Sequence, residues 1–248
     1  MLEISHLDWA LAILAAMLVG IAKSGIPGAG ILIVPLMANI FANNTKASVG
    51  ILLPMLIVGD TFGVIYYKRH ADWDKLKRLF PWVVPGLFGG AIFLHTLGDR
   101  NDVMKPLLGG IVLAMLVLDL IRRKMKWESM PHTTWFTGGT GSLAGFSTTV
   151  GNAAGSVMNL YFLSLDMPKE RFVGTAAWFF MIVNWTKVPI FAGLGMISAD
   201  SLLFDASLIP AIALGAYLGM KLLPKVPQHI FNRIILVLTA IAALKLLF

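Results

Sequence analysis

An all-α, polytopic membrane fold made of two inverted repeats is predicted by this sequence, and three observations carry the prediction. The 248 residues are 57% hydrophobic and 13% charged, and their apolar runs are too many and too long for one water-soluble core. Lys and Arg collect in short loops between those runs, so the net charge of +7 speaks of membrane topology and of no nucleic-acid partner. Two glycine-rich interruptions, Gly20–Met37 and Gly145–Phe162, break otherwise apolar stretches 125 positions apart.

Ten apolar segments follow in order: Leu7–Ala22, Ala29–Phe41, Ala47–Tyr67, Leu79–Leu97, Val103–Ile121, Thr134–Thr149, Ala153–Leu165, Phe172–Ala192, Leu203–Leu223 and Ile230–Phe248. The first has Glu3, His6 and Asp8 before or within it and no Lys or Arg, so it reads as a membrane segment and not as a cleaved leader with a basic start. Segments one, two, six and seven fall short of the ~20 residues of a full span. Each short pair, 1/2 and 6/7, is therefore expected to be broken or re-entrant.

Charge sets the orientation. The loop Tyr67–Leu79 holds Lys68, Arg69, Lys75, Lys77 and Arg78, and Ile121–Met130 holds Arg122, Arg123, Lys124 and Lys126. Both are expected at the cytoplasmic face of a cell membrane, with the two termini on the other side. Asp72–Lys75 reads as an interfacial turn, and Trp9, Trp73, Trp82, Trp127 and Trp135 as interfacial aromatics at span ends.

The two interruptions suggest duplication. Gly20 falls on Gly145 and Gly30 on Gly155. With one loop residue dropped, Val49-Gly50 falls on Val173-Gly174 and Asp60 on Asn184, and further on Pro85 falls on Pro210 and Gly90-Ala91 on Gly215-Ala216. Residues 1–122 and 131–248 are the expected repeats. Five segments per repeat is an odd number, so the second enters the membrane from the opposite side.

Gly25, Pro27, Gly28 and Gly30 cannot continue a regular helix. Backbone freed at membrane depth survives only where protein or a water-filled cavity meets it. A half-helix beginning after such a break presents unpaired N–H groups and a positive dipole end, which attract anions. Gly25 and Gly28 let a ligand approach the backbone, while Ser24, Thr148, Thr149 and Asn152 add polar side chains. The competing reading is that these small residues only permit close helix packing.

Lys23 lies between two apolar segments, where a charge costs several kcal/mol, roughly 2.5–3.5 on insertion scales. It fits either a bound anion or a side chain snorkelling to an interface. Asp60, two-thirds along the third segment, is a candidate coupling residue for a proton, with Asn184 as its mate; a structural hydrogen bond is the alternative. Lys187, six residues from the end of the eighth segment, could attract an anion to the outer vestibule, but a lysine that near a helix end more often snorkels, and it is read so. Cysteine is absent, which excludes thiolate chemistry and Cys-ligated metals, and no HExxH, GxSxG or GxxxxGK[ST] motif occurs. No cofactor or metal is expected.

The GxxKSGxPGxGxxxVPLM stretch, the second glycine-rich stretch 125 residues on and the repeated halves resemble the sulfite exporter TauE/SafE family, also grouped as toluene-sulfonate-uptake-permease-like transporters. The resemblance covers essentially the whole chain. It implies a secondary transporter for a sulfur-containing anion such as sulfite or a sulfonate, working by alternating access, and not an enzyme. Carried over residue by residue, it makes Lys23, Ser24, Gly25, Gly28, Thr149, Gly151 and Asn152 candidate substrate contacts. Val150 and Asn152 stand where Gly25 and Pro27 stand in the first half, and Leu160 where Pro35 does, so the half-sites differ. A membrane-embedded enzyme using Lys23, Ser24 and Asp60, and a non-transporting assembly subunit, are the rival readings. The expected partners are the lipid bilayer, a small anionic substrate and a proton as candidate coupling ion.

Overall fold

The computed structural model describes residues 5–25, 29–41, 44–97, 134–165, 167 and 169–222, with single positions between 100 and 121. Those residues are helical or irregular, and no strand occurs among them. The helices are α1 (His6–Ser24), α2 (Ile33–Ile40), α3 (Thr45–Tyr67), α4 (Trp73–Leu97), α5 (Thr134–Gly151), α6 (Gly155–Ser164), α7 (Lys169–Gly193) and α8 (Ala199–Leu222). Helical positions recur between Asp102 and Ile121, where the fifth segment was expected. The tenth segment lies outside the described residues.

His6–Ser24, Lys46–His70, Trp73–Leu97 and Ala199–Lys221 are each long and apolar enough to cross a membrane. Large apolar side chains on them point outward, Phe88 at 61%, Ile92 at 65% and Leu203 at 70% exposure, as lipid-facing positions do. The first segment is thus a full-length span of 19 residues and not the short element expected. By contrast α2 and α6 have 8 and 10 residues, and rise only about 12 and 15 Å.

Both predicted interruptions are present. At the first, Gly25 caps α1 with φ 156° and its N–H bonded to Ile21 O, and a 3₁₀ turn over Ala29–Leu32 leads into α2. At the second, α5 stops at Gly151, Asn152 turns the chain at φ 52°, and α6 begins at Gly155.

Other helix ends follow their caps. Ser5 accepts from Asp8 N at the start of α1 and Asn44 from Ala47 N at the start of α3. Ser198 and Ser201 bond each other's backbone N–H reciprocally at the start of α8. Asp72 accepts from Lys75 N, so the expected interfacial turn is instead the first turn of α4, which starts six residues before the predicted apolar segment. Pro81 and Pro85 sit inside that helix; the apolar run alone hid the charged turn that the aspartate cap makes helical.

α1 packs on α8, α4 on α5, and α3 on α7. Glycines set the first two contacts. A Cβ on Gly20 would collide with Ile212 O and one on Gly215 with Met17 O; likewise one on Gly145 would collide with Val83 O and one on Gly86 with Ser142 O. Gly219 abuts the Ser24 hydroxyl as Gly90 abuts Thr149 Cβ. These contacts match one for one, with an offset of 125 between α1 and α5 and of 129 between α4 and α8. The sequence alignment of Gly90 with Gly215 was therefore one helical turn out: Gly86 corresponds to Gly215, and Gly90 to Gly219. Two apolar cores divide the same way, one around α1, α2, α3 and α8, the other around α4, α5, α6 and α7.

Candidate functional site

α1 ends against the middle of α3, and two glycines on α3 let it come that close. A Cβ at Gly59 would lie 2.8 Å from Val19 Cγ1 and 3.0 Å from Lys23 Cγ, and one at Gly63 would lie 2.7 Å from Lys23 O. Tyr67 donates to Ser24 O at 3.2 Å, satisfying one of the carbonyls that a helix end leaves open. Lys23 is thereby aimed at α3. Its ammonium lies 2.7 Å from Asp60 Oδ1 and 4.1 Å from the centre of the Phe180 ring, a cation–π contact that adds to the ion pair.

Asp60 is fully buried and its other oxygen, Oδ2, accepts from Asn184 Nδ2 at 2.6 Å. Asn184 Oδ1 is buried with no hydrogen-bond partner among the described residues. One turn further along α7, on the face that holds Asn184, Lys187 is also fully buried. It donates to Thr148 O at 3.1 Å, Thr148 Oγ1 at 3.0 Å and Asn152 Oδ1 at 2.6 Å. All three ammonium hydrogens thus meet neutral oxygens, and among the described residues no carboxylate lies within ion-pair distance of it. Lys23 pairs with Asp60, Asp60 with Asn184, and Lys187 follows Asn184 by one turn of α7, so the groups form one cluster. Two ammoniums and one carboxylate give it a formal charge of +1 when all are ionised.

Asn152 ties the second interruption to this cluster. Its left-handed backbone, which Asn tolerates better than most residues, directs Nδ2 to Val49 O at 2.8 Å on α3 and Oδ1 to Lys187.

The residues singled out in the sequence divide cleanly. Lys23, Asp60, Asn184, Thr148 and Asn152 converge. Ser24 and Thr149 do not: their hydroxyls donate to Ile21 O and Gly145 O in their own helices, at 3.4 and 2.9 Å, and their side chains fill the contacts with Gly219 and Gly90. Both side chains sit in helix-to-helix contacts and are turned away from the cluster. Gly25 and Gly151 are buried at the ends of α1 and α5, while Gly28 lies outside the described residues. Lys187 was misread as snorkelling. The signal was its three-residue spacing from Asn184, which puts the two on one face of α7. Among the described residues no group of three His, Cys, Asp or Glu could hold a metal.

Fold and cluster together define a polytopic helical membrane protein with a charged site buried where its interrupted helices meet α3 and α7. Residues 12–246 match the sulfite exporter TauE/SafE family, and the chain belongs to that family of membrane transporters. No curated protein and no solved structure matches the chain.

Proposed function

We propose that the protein is a secondary transporter that carries a small sulfur oxyanion, sulfite or a sulfonate, through the Lys23–Asp60–Asn184–Lys187 cluster by alternating access. Residues 1–122 and 131–248 would be its two inverted repeats, rocking against each other about that cluster. The observation that carries this reading is Lys187: a wholly buried cation held by neutral oxygens is costly unless it has a task. An anion supplies the missing charge. Asn184 Oδ1, buried and unpartnered, offers an acceptor to a protonated oxyanion.

Asp60 gives a means of coupling. A proton on its carboxyl frees the Lys23 ammonium and raises the cluster from +1 to +2. Proton and anion occupancy then favour each other by linkage. Thr148 and Asn152 position Lys187, and Gly25 and Asn152 let the chain turn beside the site.

Counterflow of labelled sulfite in proteoliposomes tests the proposal. The label should exchange chemically unchanged, and Lys187→Met should lower the rate, per folded protein, by about thirtyfold or more. Asp60→Asn should keep counterflow and lose acceleration by a pH gradient. Altered label would indicate an enzyme, and a Lys187→Met protein with undiminished exchange would remove the site from this role.

A further inference from the structure

A cavity lies away from the charge cluster, at the Lys/Arg-rich end of the bundle. Its volume is about 240 Å³, and Lys75, Arg78 and Trp82 of α4, Thr134 and Thr137 of α5 and Tyr161 of α6 line it. Tyr161 is 3% exposed and lines the cavity together with Thr137 and Arg78. Two cations and a buried phenol thus face one partly open space.

The other half of the molecule shows that the helix packing does not require this space. With the offsets of 125 and 129 given by the glycine contacts, Lys75 corresponds to Phe204 and Thr134 to Trp9. There the volume is filled: Trp9 and Phe204 have ring centroids 5.2 Å apart, and Phe41 meets Phe204 edge-on at 5.9 Å. Phe204 is buried in the apolar core. The same framework is plugged by aromatic rings at one end and left hollow, basic and hydroxyl-lined at the other.

We infer that the cavity between α4, α5 and α6 binds the phosphate headgroup of an anionic phospholipid. Lys75 and Arg78 neutralise the phosphate, and Tyr161 and the threonine hydroxyls hydrogen-bond its oxygens or the headgroup alcohol. Trp82 at 40% exposure and Trp135 at 91% stand at the same end, where indole rings sit at headgroup level, and the acyl chains would run outward past them. A Lys/Arg-rich end is the one expected on the cytoplasmic leaflet, whose anionic lipids are drawn to basic pockets between helices.

Native mass spectrometry of the full chain in nonionic detergent, titrated with phosphatidylglycerol, reads the site directly. The wild-type protein should retain one phosphatidylglycerol in preference to phosphatidylcholine. Lys75→Gln with Arg78→Gln should weaken retention by about thirtyfold, two cations' worth. Tyr161→Phe should weaken it less, and Arg78→Gln alone, a change at an exposed position, serves if the double variant fails to fold. Equal retention of the two lipids, or undiminished phosphatidylglycerol binding by the variants, overturns the inference. So does inorganic phosphate that displaces the lipid at equal concentration, which would mark a site for free oxyanions.

Discussion

Asp60 and Asn184 are each the sixteenth residue of their helix, α3 and α7, and they touch, Nδ2 to Oδ2, at 2.6 Å. If the two halves are the proposed repeats, these are equivalent positions, and on the alternating-access reading any movement of one half against the other would be felt first at this contact. The pair is chemically unequal: one member titrates and the other only hydrogen-bonds. A proton on Asp60 would break the equality of charge with Lys23 without disturbing the shape of the contact.

The Lys23–Asp60 ion pair should behave as a unit. Removing either charge leaves the other poorly compensated, with Asp60 fully buried and Lys23 at 13% side-chain exposure. Lys23→Met and Asp60→Asn should each cost about 3 kcal/mol of stability, near the lower end for a broken buried pair. The double variant should be less damaged than the sum of the two, with a coupling energy of about 1–3 kcal/mol. Unfolding by SDS in mixed micelles measures all four corners of the cycle, and additive losses would mean that the two charges do not interact.

The glycine contacts make a prediction with opposite signs at two sites. In Gly215→Ala the new methyl would collide with the Met17 carbonyl, and backbone cannot swing away as a side chain can. α1 and α8 would have to part, at a cost of about 1–3 kcal/mol. Gly139 is exposed within α5 and a Cβ there meets nothing within 4 Å. Gly139→Ala should leave stability unchanged or raise it by up to about 1 kcal/mol. Melting temperatures of the two purified variants, compared with the parent, test whether small residues act here through contact and not through composition.

Much of this architecture was legible in the sequence because lipid imposes a length on apolar runs and forbids loose backbone. The interruptions at Gly25 and Asn152 were found that way. Other features were hidden for identifiable reasons. Glycine-rich apolar helices match themselves again one turn along, so the alignment of α4 with α8 slipped by four residues. Lys23 and Asp60 lie 37 positions apart on different helices, and no local spacing announces their pairing. Ser24 and Thr149 looked like ligand donors because composition does not tell whether a hydroxyl turns outward or bonds back to its own helix. Lys187 was misjudged because closeness to the end of an apolar run was taken as closeness to the interface, whereas its side chain turns inward to Thr148 and Asn152.

Asn152 carries two duties that one pair of substitutions separates. Its backbone takes the left-handed turn at φ 52° that ends α5, and its amide links Val49 O to the Lys187 ammonium. Asn152→Gly keeps the turn, since glycine adopts it without steric cost, but deletes the link. Asn152→Ala deletes the link and strains the turn by roughly 1–2 kcal/mol. The alanine variant should therefore melt below the glycine variant, while both lose sulfite counterflow to the same extent. If the side chain matters only as a helix stop, Asn152→Gly will exchange sulfite at the parent rate. Equal transport loss with unequal stability instead places the amide in the group that aims Lys187, because strain in the turn and orientation of the ammonium would then have been varied independently.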